Sequence, residues 1–193
     1  MMSETTPNSY SQDDRGRPLD KEPRRRLAPQ ASSHLVRSLC QVMFGAELLA
    51  PGNELWMSTW RVWNVPLIDN RANTFRHLEP NWPQGRVRLL AVLEKLMDEG
   101  VEVRILTEES RSNQTFAGEF QSIEQGSGNG HLRRTASWSE IQGGVVASSF
   151  YLEGGLDLSQ KGGLSVARGG LQVYTDDEAI ARGRHVFQDQ WEE

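Results

Sequence analysis

The chain has 193 residues and a formal net charge of −5, a length that suits one domain with a sizeable core and is short for two. Its mean hydropathy of −0.58 is low for a compact protein, so we expect an unstructured part that dilutes a more normal core. The single cysteine, Cys40, excludes an internal disulfide and any zinc site built from several cysteines.

The sequence favours a cytoplasmic protein without membrane contact. No stretch approaches the roughly 20 apolar residues that span a bilayer, and the first residues lack the apolar core of a signal peptide. The acidic balance disfavours a general nucleic-acid coat, but local basic clusters still allow contacts with phosphate.

Residues 1–30 contain Ser, Thr, Asn, Pro and mixed charges but few large apolar side chains. Such a segment cannot bury enough surface to offset the entropy of ordering. We therefore predict a disordered tail over residues 1–30 and a single domain over residues 31–193. Within the tail, Arg24, Arg25 and Arg26 form a basic cluster that suits nucleic acid or an acidic partner, or is simply solvated charge.

From Ser32 onward the apolar spacing alternates between helical and extended patterns, which is typical of a layered α/β domain. The first predicted elements, in chain order, are a helix from Ser32 or Ser33 to Pro51, a strand over 54–62, a short apolar segment over 65–68, a helix over 87–99 ending at Gly100 and a strand over 101–106. They are followed by a short helix around 116–123, a strand near 132–138, a strand or hairpin over 145–152, a strand over 171–174 and a C-terminal helix after Thr175.

The polar segment Asp69, Asn70 and Arg71 follows the short apolar segment. Its guanidinium is suited to binding an anion at a sheet edge. A surface turn or an ion pair explains the same residues, and the sequence leaves both interpretations open.

The four histidines lie far apart in the sequence, and none has a second histidine or a cysteine at metal-ligand spacing. We therefore expect no metal and no cofactor. The paired glycines, among them Gly143–Gly144 and Gly154–Gly155, match no phosphate-binding loop, so we interpret them as turns and close backbone approaches.

Taken together, four segments resemble the phospholipase D-like superfamily from about Leu35 onward. They are Leu-Trp-Met-Ser-Thr-Trp followed by Val-Pro-Leu-Ile-Asp-Asn, the helix over 87–99, Val-Glu-Val-Arg-Ile-Leu-Thr after Gly100, and the late segment from Phe150 to Ser159. The resemblance implies an α/β fold with a layered mixed sheet flanked by helices. It also implies a motif of His-x-Lys with Asp four residues later, preceding a strand and a Gly-Ser-x-Asn turn. Two such motifs, often from two subunits of a dimer, form one phosphodiester-cleaving site.

When that motif is aligned through the strand at 150–152, Ile141 takes the place of the nucleophile, Gly143 that of the lysine and Ser148 lies near the aspartate. The turn becomes Gly154, Gly155, Leu156 and Asp157, where a carboxylate replaces the amide and would repel phosphate. None of these residues can perform the family's reaction.

The first hypothesis is therefore a catalytically inactive phospholipase D-like protein that acts as a binding or scaffold subunit, as a homodimer or with a partner subunit. Such domains occur in bacterial DNA-restriction, DNA-modification and anti-phage gene clusters, and nucleic acid is a candidate partner.

The alternative is an active phosphodiesterase or nuclease with a non-standard site at His131 or His77. Arg133 and Arg134 are close to His131 in sequence and are suited to holding phosphate. A plain nucleotide-binding α/β domain is a third option, but no glycine fingerprint supports it.

Overall fold

A computed structural model describes residues 25–28, 31–135, 143–158 and 164–192, and its framework is a seven-stranded mixed sheet. The strands are β1 (Arg25–Leu27), β2 (Glu54–Thr59), β3 (Pro66–Asp69), β4 (Arg86–Arg88), β5 (Glu102–Glu108), β6 (Gly130–Thr135), β7 (Gly144–Val146), β8 (Tyr151–Asp157) and β9 (Ser165–Tyr174). The order across the large sheet is β1-β9-β8-β7-β2-β5-β6, and β3 and β4 form a separate two-stranded sheet.

The large sheet is mixed, with two parallel and four antiparallel strand pairs among the described strands. Strands β2, β5 and β6 run parallel to one another, whereas β7, β8, β9 and β1 continue the sheet in antiparallel pairs. This mixed α/β architecture is the fold class that the sequence predicts.

The helices are α1 (Ser33–Leu49), α2 (Leu89–Asp98), α3 (Gln114–Ser127) and α4 (Asp177–Glu192). Buried side chains of α1, α2 and α3 join the main apolar core. Helix α4 covers the other face of the sheet, because Phe187 packs on Trp56 and Leu106, which alternate with main-core residues along β2 and β5.

The helix ends follow the sequence signals. Ser32 accepts a hydrogen bond from Leu35 N at 3.3 Å and caps α1, and Gly100 follows α2 with a φ of 89°. At α4 the cap is Asp176, whose carboxylate accepts from Ala179 N at 3.0 Å. Along α1, Val36, Cys40 and Phe44 lie in the core, whereas Val42 is exposed.

Three details of the predicted elements are wrong. Arg25–Leu27 do not belong to a disordered tail but form β1, because they pair with β9 and bury Leu27; residues 1–24 lie outside the described residues. Val87 belongs to β4 rather than to the second helix, since it pairs with Ile68. The strand predicted over 54–62 ends at Thr59.

The side chain of Asn113 joins the carboxyl ends of β2 and β5 to the start of α3. Its Oδ1 accepts from Val62 N at 3.0 Å, and its Nδ2 lies within 2.9 Å of the Trp60 and Glu108 carbonyls and 2.8 Å from Thr107 Oγ1. The residue is fully buried, so water cannot replace these partners.

We expect Asn113→Ala to lower the free energy of unfolding by about 2–3 kcal/mol, because it leaves buried polar groups without partners. Urea unfolding measures the change. Asn81→Ala, at an exposed position, is the matched control and is expected to change stability by less than about 0.5 kcal/mol. Equal effects of the two substitutions would contradict the role assigned to Asn113.

Candidate functional site

The residues aligned with the family motif lie on and around the β7–β8 hairpin. Gly143 immediately precedes β7, and Ser148 lies between the two strands. Ile141 lies outside the described residues. Gly154, Gly155 and Asp157 are inside β8, so the prediction that they form a turn is wrong.

The glycines of this region allow strands to approach closely, as the sequence suggests. Gly154 has a φ of 112°, and a Cβ there would lie 2.4 Å from the Gly170 carbonyl oxygen. A Cβ on Gly144 would lie 2.6 Å from the Leu152 carbonyl oxygen. A bulge in the β8–β9 pairing falls between Gly154 and Leu156, which explains glycine at a strand position.

Ser148 is held by a buried carboxylate of α1. The Oγ of Ser148 donates to Glu47 Oε1 at 2.6 Å, and the Oγ of Ser149 donates to Glu47 Oε2 at 2.8 Å. Gly52 N donates to Oε1 at 2.9 Å, and Glu47 is fully buried. The position near the family's aspartate therefore serves to join helix α1 to the hairpin.

Asp157 is the last residue of β8. Its Oδ2 accepts from Ser165 Oγ at 3.4 Å, across the β8–β9 pair in which the two residues face each other. When the family motif is aligned on this chain, this carboxylate takes the place of the family's amide, and a negative charge at that position opposes phosphate binding.

His131 lies on β6 between two carboxylates. The side chain is 49% exposed, its Nε2 is 3.6 Å from Glu102 Oε1 and its Nδ1 is 3.9 Å from Glu124 Oε1. Strand alternation places Arg133 on the same face as His131 and Arg134 on the opposite face. The flanking carboxylates repel a phosphate that approaches this histidine.

Among the described residues, Lys95 is the only lysine, and it is already ion-paired. Its Nζ is 2.6 Å from Glu99 Oε1 and 3.8 Å from Glu79 Oε2, and the hydrogen bond to Glu99 raises the pKa of Lys95. The described part of the chain thus offers no lysine free to hold a phosphate. In the same residues, no group of three or more His, Cys, Asp or Glu side chains is arranged to hold a metal ion.

The segment Asp69, Asn70 and Arg71 leaves the small β3–β4 sheet rather than the large one. Arg71 Nε donates to Asp69 Oδ1 at 2.9 Å, and this contact lowers the pKa of Asp69 to about 2. Asn70 is buried, with its Nδ2 on the Pro83 carbonyl at 3.1 Å and its Oδ1 accepting from Phe75 N at 3.0 Å. Asn70 therefore shapes the loop, and Arg71 is the exposed member of the segment.

Sequence reasoning missed Glu47 and Asn113. Glu47 carried a signal, because it follows Val36, Cys40 and Phe44 on the buried stripe of α1, where a carboxylate needs nearby donors. Asn113 carried none, since its partners lie in two other segments, the one after β2 and the end of β5.

The comparisons with known proteins concern the fold. The sequence matches no protein-family model and no curated protein. Among solved structures, the archaeal chromatin protein TrmBL2, described as showing a novel mode of DNA binding, is 13% identical with a TM-score of 0.51. That match covers 91% of this chain and 54% of TrmBL2, so the chain spans about half of the length of that protein.

The second structure is Nuc from Salmonella typhimurium, a phospholipase D family member. It is 11% identical with a TM-score of 0.51, and the match covers 78% of this chain and 86% of Nuc. Together with the mixed sheet and flanking helices, this similarity establishes a phospholipase D-like fold for the chain.

We expect Glu47→Ala to lower the free energy of unfolding by about 2–4 kcal/mol, because three donors lose their acceptor. Glu47→Gln is expected to cost less, since it keeps one oxygen and a serine hydroxyl can rotate to accept from the new amide. Chemical denaturation of both variants, with exposed Glu94→Ala as the control, measures the difference. A loss for Glu47→Ala no larger than that for Glu94→Ala would exclude this role.

Proposed function

We propose that this chain is a non-catalytic binding or scaffold subunit that uses its phospholipase D-like fold to engage nucleic acid without cleaving it. The observation that carries the proposal is the use of Ser148 to hold Glu47. A residue committed to the packing of α1 on the hairpin is unavailable for phosphodiester chemistry.

Two further features support the absence of cleavage. The family's reaction needs a nucleophilic histidine and lysines that hold the phosphate charge. Gly143 stands at the lysine position, and the one described lysine is engaged by glutamates.

Nucleic acid is the proposed partner for two reasons. The first is the similarity of the fold to a protein that binds DNA. The second is the pair Arg133 and Arg134 on β6, at one edge of the large sheet, where guanidinium groups can contact phosphates.

The competing proposal is an active phosphodiesterase centred on His131. Arg133, on the same face, supports it, but the carboxylates of Glu102 and Glu124 oppose the approach of a phosphate. We therefore favour binding without cleavage.

The proposal extends to context and assembly. A role in a bacterial DNA-restriction, DNA-modification or anti-phage system follows from the resemblance, and the identity of the neighbouring genes tests it.

We also propose pairing with a second copy or a partner subunit, because the family often builds its site from two subunits. Sedimentation of the purified chain is expected to show a dimer. A strict monomer that captures no identified partner subunit would contradict this part.

We expect no hydrolysis of bis-nitrophenyl phosphate or single-stranded DNA above background, with or without chelator, because loss of the nucleophile and of charge stabilisation removes many orders of magnitude in rate. The measurement compares the wild type with His131→Ala. Hydrolysis by the wild type that His131→Ala abolishes would overturn the proposal and favour the phosphodiesterase.

We expect salt-sensitive DNA binding that weakens in Arg133→Ala or Arg134→Ala, with the salt slope falling by about 1 for each phosphate that the variant no longer neutralises. Fluorescence anisotropy across a salt series measures both quantities. Arg76→Ala, at another exposed position, is the charge-matched control. An equal loss of affinity in all three variants would indicate only a general charge effect and would remove β6 as the binding edge.

A further inference from the structure

A groove of about 680 Å³ lies between one face of α1 and the β3–β4 hairpin. Helix α1 contributes His34, Arg37, Ser38 and Gln41, whose spacing of three and four residues places them on one helical face. The hairpin and the loop after β3 contribute the opposite wall, which includes Asp69, Arg71 and Arg86.

The groove concentrates positive charge in an acidic protein. Three arginines and one carboxylate line it, which leaves an excess of two positive charges when His34 is neutral. Asp69 is paired with Arg71 and faces Arg86 across the β3–β4 ladder. The Asp69 carboxylate therefore offsets one of the three positive charges, and two remain without a compensating negative charge in the lining.

Within the described part of the chain, the side chains of Arg37 and Arg86 make no hydrogen bond or salt bridge. The Nε of Arg37 is buried and has no partner among these residues. A buried donor without an acceptor costs free energy, and a structure that retains one is suited to a ligand that supplies the acceptor.

The wall opposite Arg37 is fixed in place. Gln41 Oε1 accepts from Asp69 N at 3.0 Å, which ties α1 to the end of β3. Asp69 in turn holds the guanidinium of Arg71 through both carboxylate oxygens. Arg71 is therefore oriented before any ligand arrives, which lowers the entropic cost of binding.

We propose that this groove is a binding site for a phosphate monoester dianion, held by Arg37 and Arg86 with Arg71 as the third cation. The charge of the ligand matches the excess of two positive charges, and guanidinium forks suit phosphate oxygens. The volume falls within the range of small-molecule sites.

The described lining has no Phe, Tyr or Trp side chain on which a base would stack, and its apolar part is Pro66, Ile68 and Ala72. The site therefore recognises the phosphate rather than the group attached to it. The same chemistry is present in the terminal phosphate of a nucleic acid and in a free nucleotide, and the site does not depend on the function proposed above.

Isothermal titration with inorganic phosphate and adenosine 5′-monophosphate tests the groove, with adenosine as the uncharged comparison. We expect adenosine not to bind, and Arg37→Gln and Arg86→Gln to weaken binding of the monophosphate by at least about tenfold. Arg76→Gln, which removes the same charge outside the lining, is expected to leave affinity unchanged. Urea midpoints of all variants confirm that they are folded.

A second arm compares an oligonucleotide carrying a 5′-phosphate with its 5′-hydroxyl form. Tighter binding of the phosphorylated form, abolished in Arg37→Gln, assigns the groove to nucleic-acid ends; equal affinity of the two forms, with binding of the monophosphate retained, assigns it to free phosphate esters. Failure of the wild type to bind phosphate or monophosphate, or unchanged binding in both groove variants, overturns the inference. If the groove fails this test but DNA binding still depends on Arg133 and Arg134, the proposed function is unaffected.

Discussion

The packing of α1 against the sheet depends on one buried carboxylate. Glu47 accepts hydrogen bonds from Gly52 N and from the hydroxyls of Ser148 and Ser149. The two serines lie more than 95 positions after Gly52 in the chain. An uncompensated buried charge is costly, so the helix end and the hairpin must meet where all three donors converge. A Cβ on Gly52 would lie 1.7 Å from Ser148 Oγ, so glycine is required there for this convergence.

Because of this constraint, we assign Ser148 a role in the packing of the fold and not in a reaction. The resemblance to the phospholipase D-like superfamily implies that, in active members of the family, this hairpin region supplies a nucleophile, a cation and a carboxylate. Here Ser148 holds the carboxylate of Glu47, while Gly144 and Gly154 allow strand contacts that a side chain would obstruct. The same backbone positions therefore serve packing. Such a frame can retain phosphate contacts, because binding needs only oriented donors and charge, whereas cleavage also needs a nucleophile.

The elements that could be predicted from sequence are those with local signals. Helix α2 and strand β5 have strong apolar periodicity and a glycine between them, and both form close to their predicted positions. Strand β1 escapes prediction because its partner β9 lies almost 150 residues later, and no local pattern encodes such a pairing. The apolar character of Val87 suits both helical and extended periodicities, and only its pairing with Ile68 distinguishes them.

The groove lined by Arg37, Arg71 and Arg86 is harder to predict, because it too depends on residues that are far apart in the sequence. The sequence indicates Arg71 as a candidate anion-binding residue. Arg37 and Arg86 lie 34 positions before and 15 positions after it, and only the packing of α1 on the β3–β4 hairpin brings the three arginines to one groove. Asp69 has two consequences there: it orients Arg71, and its own pKa falls to about 2. The carboxylate therefore stays ionised to a lower pH than an ordinary aspartate, and the groove keeps one negative charge beside three positive ones. A protein with net charge −5 repels anions on average, so a local excess of positive charge such as this one attracts them.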